Sequence, residues 1–314
     1  MESAYTREQV VQFLHHIQLP ESLHHAPPSL PLLKTLHMHM ISTVPYDNLS
    51  LHYNPTHSIS IDPQHLFQKI VANKHGRGGY CMEIAVLYNH MLLGLGFDAY
   101  TVGVRPRIQG VPEGDFPGWV HIVSIVTFPD GSKCHVDVGF GGDGATLPLP
   151  LIEGLAHRNL GTQEIRLVRD WMPTQLKRTE EAKFWIYQYR NSPGLAWNSF
   201  YAFAELEFTQ TDFEVINWWT GHGPGFYQAL TMLLIKFLRC QGENGQQEIC
   251  GKRMLVKGLV KENLGGRTRV VQGCKTEEER IEVLNRHFGI RLTDEERLAI
   301  RGRATELPQR ESAV

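Results

Sequence analysis

Little in this chain is extreme, and each thing it lacks removes a class of function. No apolar run approaches the ~20 residues that a bilayer span needs. The best stretch near the C-terminus, Met232-Leu233-Leu234-Ile235, stops at Lys236, so no membrane partner is expected. Nor does one charge sign dominate. Lys and Arg number 31 against 33 Asp and Glu, a formal net charge of −2, and the pI is near 6.8, which gives no footprint of a nucleic-acid binder. The N-terminus, Met1-Glu2-Ser3-Ala4, has no basic segment leading into an apolar one, so a soluble, cytoplasmic protein is expected. Cysteine is scarce. Cys81, Cys134, Cys240, Cys250 and Cys274 show neither close pairing nor a Cys-x-x-Cys spacing, which predicts free thiols in a reducing compartment. The 16 histidines are unaccompanied by His-Glu-x-x-His or a Cys/His ligand set, so no metal is expected. Repeats, low-complexity tracts and long linkers are missing too, which predicts one closely packed body.

What is present is a 314-residue chain of 42% apolar composition, enough to bury a substantial core in two or three packed subdomains. Helical periodicity marks Arg7–Ile17, Leu30–Ile41, Pro63–Val71 and Met82–Leu93. From about Phe97 the pattern becomes alternating and β-branched, in Ala99–Val104, Val120–Phe128, Lys133–Phe140, Ile165–Arg169, Lys183–Gln188 and Tyr201–Leu206. Short strands at that spacing predict an antiparallel barrel or strongly curled sheet. Further on, Gln228–Leu238 reads equally as strand or helix. Met254–Val260 and Arg267–Val271 read as strands, and Glu277–His287 and Asp294–Arg301 as helices.

The most informative residue is Cys81. It ends the glycine-rich turn Gly76-Arg77-Gly78-Gly79-Tyr80-Cys81 and opens a helix whose stripe is Ile84, Leu87, Tyr88, Met91, Leu92 and Leu95. A helix N-terminus favours thiolate over thiol. A free thiol, with a pKa of about 8.5, needs such help and a cationic partner before it attacks efficiently at neutral pH. Two other glycine-rich stretches fail as phosphate loops. Gly139-Phe140-Gly141-Gly142-Asp143-Gly144 matches Gly-x-Gly-x-x-Gly after a strand, but Ala145-Thr146-Leu147-Pro148-Leu149-Pro150 cannot open the helix that a pyrophosphate requires. Gly251-Lys252 is followed by Arg253 and lacks a glycine at the P-loop offset.

A nucleophilic cysteine needs a base, and the base needs an orienting group. His121 lies in the apolar strand Trp119-Val120-His121-Ile122-Val123, and Asp137 in Cys134-His135-Val136-Asp137-Val138. The two segments read as arms of a hairpin turning at Pro129-Asp130-Gly131-Ser132. If that turn holds an odd number of residues, His121 and Asp137 share a face. His135 is two residues from Asp137 on the same strand, so spacing leaves it open as the base.

These blocks together resemble the arylamine N-acetyltransferase family over most of the chain. The family's cysteine block appears as Arg77-Gly78-Gly79-Tyr80-Cys81-Met82-Glu83, its strand histidine as His121, and its aspartate block as Val136-Asp137-Val138-Gly139-Phe140-Gly141. Thr35-Leu36-His37-x-His39 and Val44-Pro45-Tyr46-Asp47-Asn48-Leu49 resemble its N-terminal signature, and Asp212-Phe213-Glu214-Val215-Ile216-Asn217-Trp218 its C-terminal block. The Tyr46-Asp47 pair and the long C-terminus are most similar to the fungal branch. Two departures stand out. Ala85 occupies a position where the family usually has Asn, and Thr220-Gly221-His222-Gly223-Pro224-Gly225-Phe226 replaces a Ser-Thr-His-Pro-like stretch.

The resemblance implies an α+β fold with an N-terminal helical bundle (1–95), a central antiparallel β-barrel (96–206) and a C-terminal α/β lid (207–314), the triad arranged as in cysteine proteases. It implies a catalytic triad of Cys81, His121 and Asp137 that carries an acyl group by a ping-pong route from an acyl-coenzyme A to an arylamine or hydrazine, a xenobiotic-detoxifying acyltransferase. Acetyl-CoA is the expected co-substrate, with malonyl-CoA or propionyl-CoA as alternatives. Phe140 and Tyr46 are the expected walls of the substrate pocket. By the same resemblance, Gly118 and Thr220 line the coenzyme A cleft, and Arg77 pairs with Asp47 to hold the cysteine turn. A cysteine hydrolase or transglutaminase would use the same three residues in the same chain order. The flanking blocks favour transfer. Sequence does not decide the natural amine or the oligomeric state.

Overall fold

A computed structural model describes residues 2–107, 116–223 and 227–309. Helices dominate the first part. Arg7–His16 starts at Thr6, whose hydroxyl accepts from the Gln9 N–H while Gln9 reaches back to the Thr6 N–H, a capping box that satisfies two otherwise orphaned donors. Leu30–Thr43 starts at Ser29 and Cys81–Gly94 at Tyr80. The expected helix Pro63–Val71 divides into an α-helix, Pro63–Phe67, and a π-helical turn, Gln68–Ala72.

The described residues form thirteen strands, in chain order β1 (Tyr46–Asp47), β2 (Asp98–Pro106), β3 (His121–Thr127), β4 (Lys133–Val136), β5 (Leu149–Pro150), β6 (His157–Arg158), β7 (Glu164–Asp170), β8 (Phe184–Arg190), β9 (Asn198–Glu207), β10 (Leu233–Gln241), β11 (Gln247–Val256), β12 (Leu259–Asn263) and β13 (Arg269–Gly273). Eight form one antiparallel sheet in the order β5-β4-β3-β2-β9-β8-β7-β6. It curls until Val102, Val123, Ile125, Ile165, Leu167, Tyr187, Tyr201 and Phe203, from β2, β3, β7, β8 and β9, pack into one buried cluster. The α+β, barrel-like architecture is therefore as expected. The other sheet runs β1-β10-β11-β12-β13. Its first strand comes from the N-terminal helical region, so Tyr46 and Asp47 are built into the C-terminal sheet.

Several local expectations change. Gln228–Leu238 is both things in turn, a helix at Tyr227–Leu230 and then β10. Met254–Val260 is not one strand, because the chain reverses at Lys257, which takes a positive φ of 60°, and Gly258. The strand begun at Lys133 stops at Val136 rather than Phe140. A helix at Gln210–His222, which the pattern above did not predict, begins at Thr209, whose hydroxyl and N–H both bond Asp212. The expectation of five free thiols is corrected as well. Cys240 and Cys250 are paired as a disulfide, their Cα atoms 6.0 Å apart. They sit on adjacent strands where a bulge at Leu238/Arg239 shifts the register, a proximity that spacing in the sequence does not reveal. Cys81, Cys134 and Cys274 are free. Among the described residues, no helix is long and apolar enough to cross a membrane.

Candidate active site

The cysteine turn is anchored from below. Asp47 accepts the Gly78 N–H through Oδ2 at 2.8 Å and the Leu49 N–H through Oδ1 at 3.1 Å, while the Asp47 N–H donates to Gly79 O at 2.8 Å. A Cβ on Gly78 would lie 1.8 Å from the Pro45 carbonyl oxygen, so only glycine allows this approach. Arg77 stands 3.8 Å from Asp47, as the resemblance implied, but its nearer carboxylate is Glu296 on the helix Asp294–Ala299. The helix of Cys81 is fixed at its start by the Tyr80 N–H, which donates to Glu83 at 3.1 Å. Burial pushes the Glu83 pKa up, although Lys69 sits 2.5 Å away and opposes it. Tyr80 in turn donates its hydroxyl to Asn217, tying the helix Gln210–His222 to the turn.

Cys81 is thereby the first residue of its helix and only 6% exposed. Its Sγ lies 3.9 Å from Val120 O, directly before His121. The β3–β4 turn spans 128–132, an odd five residues, with Thr127 opposite Lys133. His121 and Asp137 consequently face the same way, and His121 Nε2 meets Asp137 Oδ2 at 2.9 Å. Leaving the sheet at Val136 lets the chain turn so that the Gly139 N–H donates to Asp137 Oδ1 at 3.0 Å. A Cβ on Gly139 would stand 3.1 Å from the Cys81 backbone, so the glycine seats the aspartate strand against the cysteine.

Electrostatics separates the groups. Burial alone would lower the His121 pKa, but the charge and hydrogen bond of Asp137, and then the Cys81 side chain, outweigh it and raise the value to about 10. Asp137 is raised by burial and lowered more strongly by His121, His135 and the Gly139 N–H, with a net downward shift. With Nε2 engaged, Nδ1 is the His121 nitrogen left for Cys81. The arrangement can hold a proton between sulfur and imidazole while a fixed carboxylate compensates the imidazolium charge.

Phe140 and Tyr46 flank this group. Phe140 meets the His121 ring edge-on at 5.3 Å. Tyr46 is buried beside Gly141, and its hydroxyl accepts from Gln228 at 2.7 Å. Gly118 is exposed, with nothing within 4 Å of where its Cβ would be. Thr220 is buried and donates its hydroxyl to Ile216 O at 2.7 Å, so that hydroxyl is engaged within its own helix. Ala85 is buried in the hydrophobic core of the Cys81 helix. His135 is not beside Cys81. Its Nε2 lies 2.8 Å from the hydroxyl of Tyr201. Tyr201, Gln228, Asn217 and Glu296 were not foreseen. For Tyr201 the alternation of its strand gives a weak signal, since it places the residue inside the barrel with Phe203. Among the described residues no His, Cys, Asp and Glu group suits a metal ion. A cavity of about 570 Å³ lies between Lys34–Met38, Arg158–Gly161 and Gln246–Cys250. Cys81, His121 and Asp137 do not line it, so the chemistry and not this hollow locates the site.

An N-acetyltransferase family model matches residues 29–297. An N-malonyltransferase of Fusarium pseudograminearum is 32% identical, over 93% of this chain and 91% of that protein. An arylamine N-acetyltransferase of Mycobacterium tuberculosis is 28% identical, over 90% and 91%. Among solved structures, the arylamine N-acetyltransferase from Salmonella typhimurium superposes with a TM-score of 0.76 at 23% identity, covering 96% of this chain and 98% of that one. The Mycobacterium marinum arylamine N-acetyltransferase in complex with CoA gives 0.75 at 22% identity, covering 94% and 98%.

Proposed function

The chain belongs to the arylamine N-acetyltransferase family, and from that premise we propose that it transfers an acyl group from an acyl-coenzyme A to an aromatic amine or hydrazine through a thioester on Cys81. The observation that supports this most is the 2.9 Å bond between His121 and Asp137, both buried, where Cys81 itself helps to raise the imidazole pKa. In the first half-reaction the Cys81 sulfur bonds to the thioester carbonyl carbon and the bond to the coenzyme A sulfur breaks. The imidazolium of His121, which holds the thiol's proton, gives it to the departing sulfur. In the second half-reaction the amine nitrogen bonds to the same carbon, its proton passes to His121, and Cys81 leaves. Asp137 stays anionic and orients the ring throughout. Thioester exchange is nearly balanced, and amide formation drives the cycle. A weakly basic arylamine is neutral at pH 7 and so remains nucleophilic, whereas an alkylamine is mostly protonated.

For the acyl group, acetyl is the first expectation from sequence. Malonyl is the reading we favour, because the Fusarium pseudograminearum relative at 32% identity is an N-malonyltransferase, against 28% for the Mycobacterium tuberculosis acetyltransferase. One assay tests both levels. Protein is mixed with acetyl-, propionyl- or malonyl-CoA and one aromatic amine, and thiol release is followed. Release is expected fastest with malonyl-CoA and absent in Cys81→Ala. Persistence in that variant rejects Cys81 as nucleophile, and no release with any donor returns the chain to the cysteine hydrolase or transglutaminase reading.

A further inference from the structure

The hydroxyl of Tyr46 carries a proton that the fold does not use. Its oxygen accepts from Gln228 Nε2 at 2.7 Å, and a chain of committed groups fixes the direction of that bond. Asn48, wholly buried, accepts the Leu233 N–H on Oδ1 at 2.8 Å and shares Nδ2 between the Thr231 and Gln228 backbone carbonyls at 2.7 and 2.9 Å. The same Nδ2 stands 3.0 Å from the Gln228 side chain, which must therefore turn its oxygen to Asn48 and its amide to Tyr46. Gln228 donates and the Tyr46 oxygen accepts. Among the described residues no acceptor takes the Tyr46 O–H.

That proton lies beside the cysteine turn. Tyr46 bridges Gly79 in parallel, the Gly79 N–H reaching Pro45 O at 3.4 Å and the Asp47 N–H reaching Gly79 O at 2.8 Å. Tyr80 is extended, so Cys81, two residues beyond Gly79, falls on the side of the bridge that Tyr46 occupies. The segment 139–141 closes over both. A Cβ on Gly139 would stand 3.1 Å from the Cys81 backbone, and one on Gly141 would meet the Tyr46 ring at 3.7 Å. Tyr46 is only 7% exposed, and burial pushes its pKa upward, so the hydroxyl keeps its proton at neutral pH.

A buried donor without an acceptor suits an acyl group that brings one. Malonyl ends in a free carboxylate where acetyl ends at a methyl. Burying that carboxylate without a donor is costly, and a hydrogen bond to a charged group is stronger than one between neutral groups. We propose that the Tyr46 hydroxyl is a specificity determinant for the acyl group, held by Gln228 and Asn48 to donate to the distal carboxylate of a malonyl chain on Cys81. The rival partner is Lys252, which reaches the same glycine turn from β11 but already bonds the Gly142 carbonyl and lies 3.3 Å from Asp143.

This role rests on the Cys81 thioester given under Proposed function. Thiol release from malonyl-CoA and from acetyl-CoA is measured with one aromatic amine, and the ratio of the two kcat/KM values is compared between parent and Tyr46→Phe. A parent that releases no thiol with either donor, or a Cys81→Ala variant as fast as the parent, rejects the thioester and the role of Tyr46 with it. With an active parent, Tyr46→Phe lowers the malonyl-to-acetyl ratio by about tenfold or more. A parent that uses acetyl-CoA and not malonyl-CoA overturns the proposal alone. So does an unchanged ratio, including a loss shared equally by both donors, which would assign the hydroxyl to the thioester carbonyl. A ratio that falls in Lys252→Met and not in Tyr46→Phe gives the carboxylate to the lysine and overturns it too. Should the unpaired Gln228 amide keep Tyr46→Phe from folding, adding Gln228→Leu removes that orphan and carries the same comparison.

Discussion

His121 and His135 lie on the two arms of one hairpin, both buried and both under the influence of Asp137, yet they are driven to opposite states. Burial lowers each pKa. In His121 a direct bond to the carboxylate and the nearby cysteine more than reverse that effect, giving about 10. In His135 burial prevails over the Asp137 charge, its Nε2 meeting the Tyr201 hydroxyl at 2.8 Å instead, and the value falls to about 4. One arm of the hairpin therefore carries an imidazole held toward its charged form and the other an imidazole held neutral. Depth does not separate them, since neither is exposed. Direct contact with one carboxylate does.

The largest effect should come from removing that carboxylate's charge. In Asp137→Asn the amide keeps the shape, but nothing compensates an imidazolium at His121, which should approach the neutral state of His135. A loss of acyl transfer on the order of 10³–10⁴-fold is expected, measured as single-turnover thiol release at pH 7. A variant within tenfold of the parent would mean that the difference between the two histidines has no catalytic consequence.

How much of this was legible depends on distance along the chain. The Cys81 helix could be read because its stripe is local; the pairing of His121 with Asp137 hung on the parity of a turn that spacing left open, and the structure supplies its five residues. What could not be read joins distant segments. The bond from His135 to Tyr201 spans 66 residues, and the contact of Arg77 with Glu296 spans 219. Cys240 and Cys250 are close in sequence, but a bulge rather than regular alternation brings them together. The helix Gln210–His222 carried a Thr209–Asp212 capping signal, and its low contrast between apolar and polar faces hid it: Val215, Trp218 and Trp219 are exposed while Phe213, Ile216 and Thr220 are buried. Family resemblance bridged some of these gaps, but it drew attention to Asp47 as the partner of Arg77 and gave no hint of Glu296.

Acid and alkali should strike the two environments separately. His37, His52 and His135 are each lowered from 6.5 to about 4, with burial as the main cause. Between those values the unfolded chain binds protons that the folded chain excludes. Stability is fully present above pH 6.5 and falls as pH drops toward 4, by about 1.4 kcal/mol per pH unit for each proton taken up. His121 has the opposite sign. Its folded pKa of about 10 lies above the ordinary value, so its contribution is whole below pH 6.5 and is lost as pH rises through 10. Urea unfolding across pH 4 to 10.5 should show two declining limbs. A flat acid limb would show that the interior histidines are not held neutral.

The smallest effect belongs to Gly118, an exposed residue three positions before His121. Gly139 and Gly118 make the contrast plain, because a Cβ at Gly139 presses on the Cys81 backbone at 3.1 Å whereas one at Gly118 meets nothing within 4 Å. Gly118 also takes no left-handed conformation. Gly118→Ala should therefore leave unfolding free energy within about 0.5 kcal/mol of the parent. If the coenzyme A chain passes against that backbone, the added methyl obstructs the ligand alone. The KM for acyl-CoA should then rise about fivefold, with the second half-reaction toward the amine unchanged. An unchanged KM would remove Gly118 from the cleft and leave the Val120 carbonyl, 3.9 Å from the Cys81 sulfur, as the nearest point at which this loop touches the chemistry.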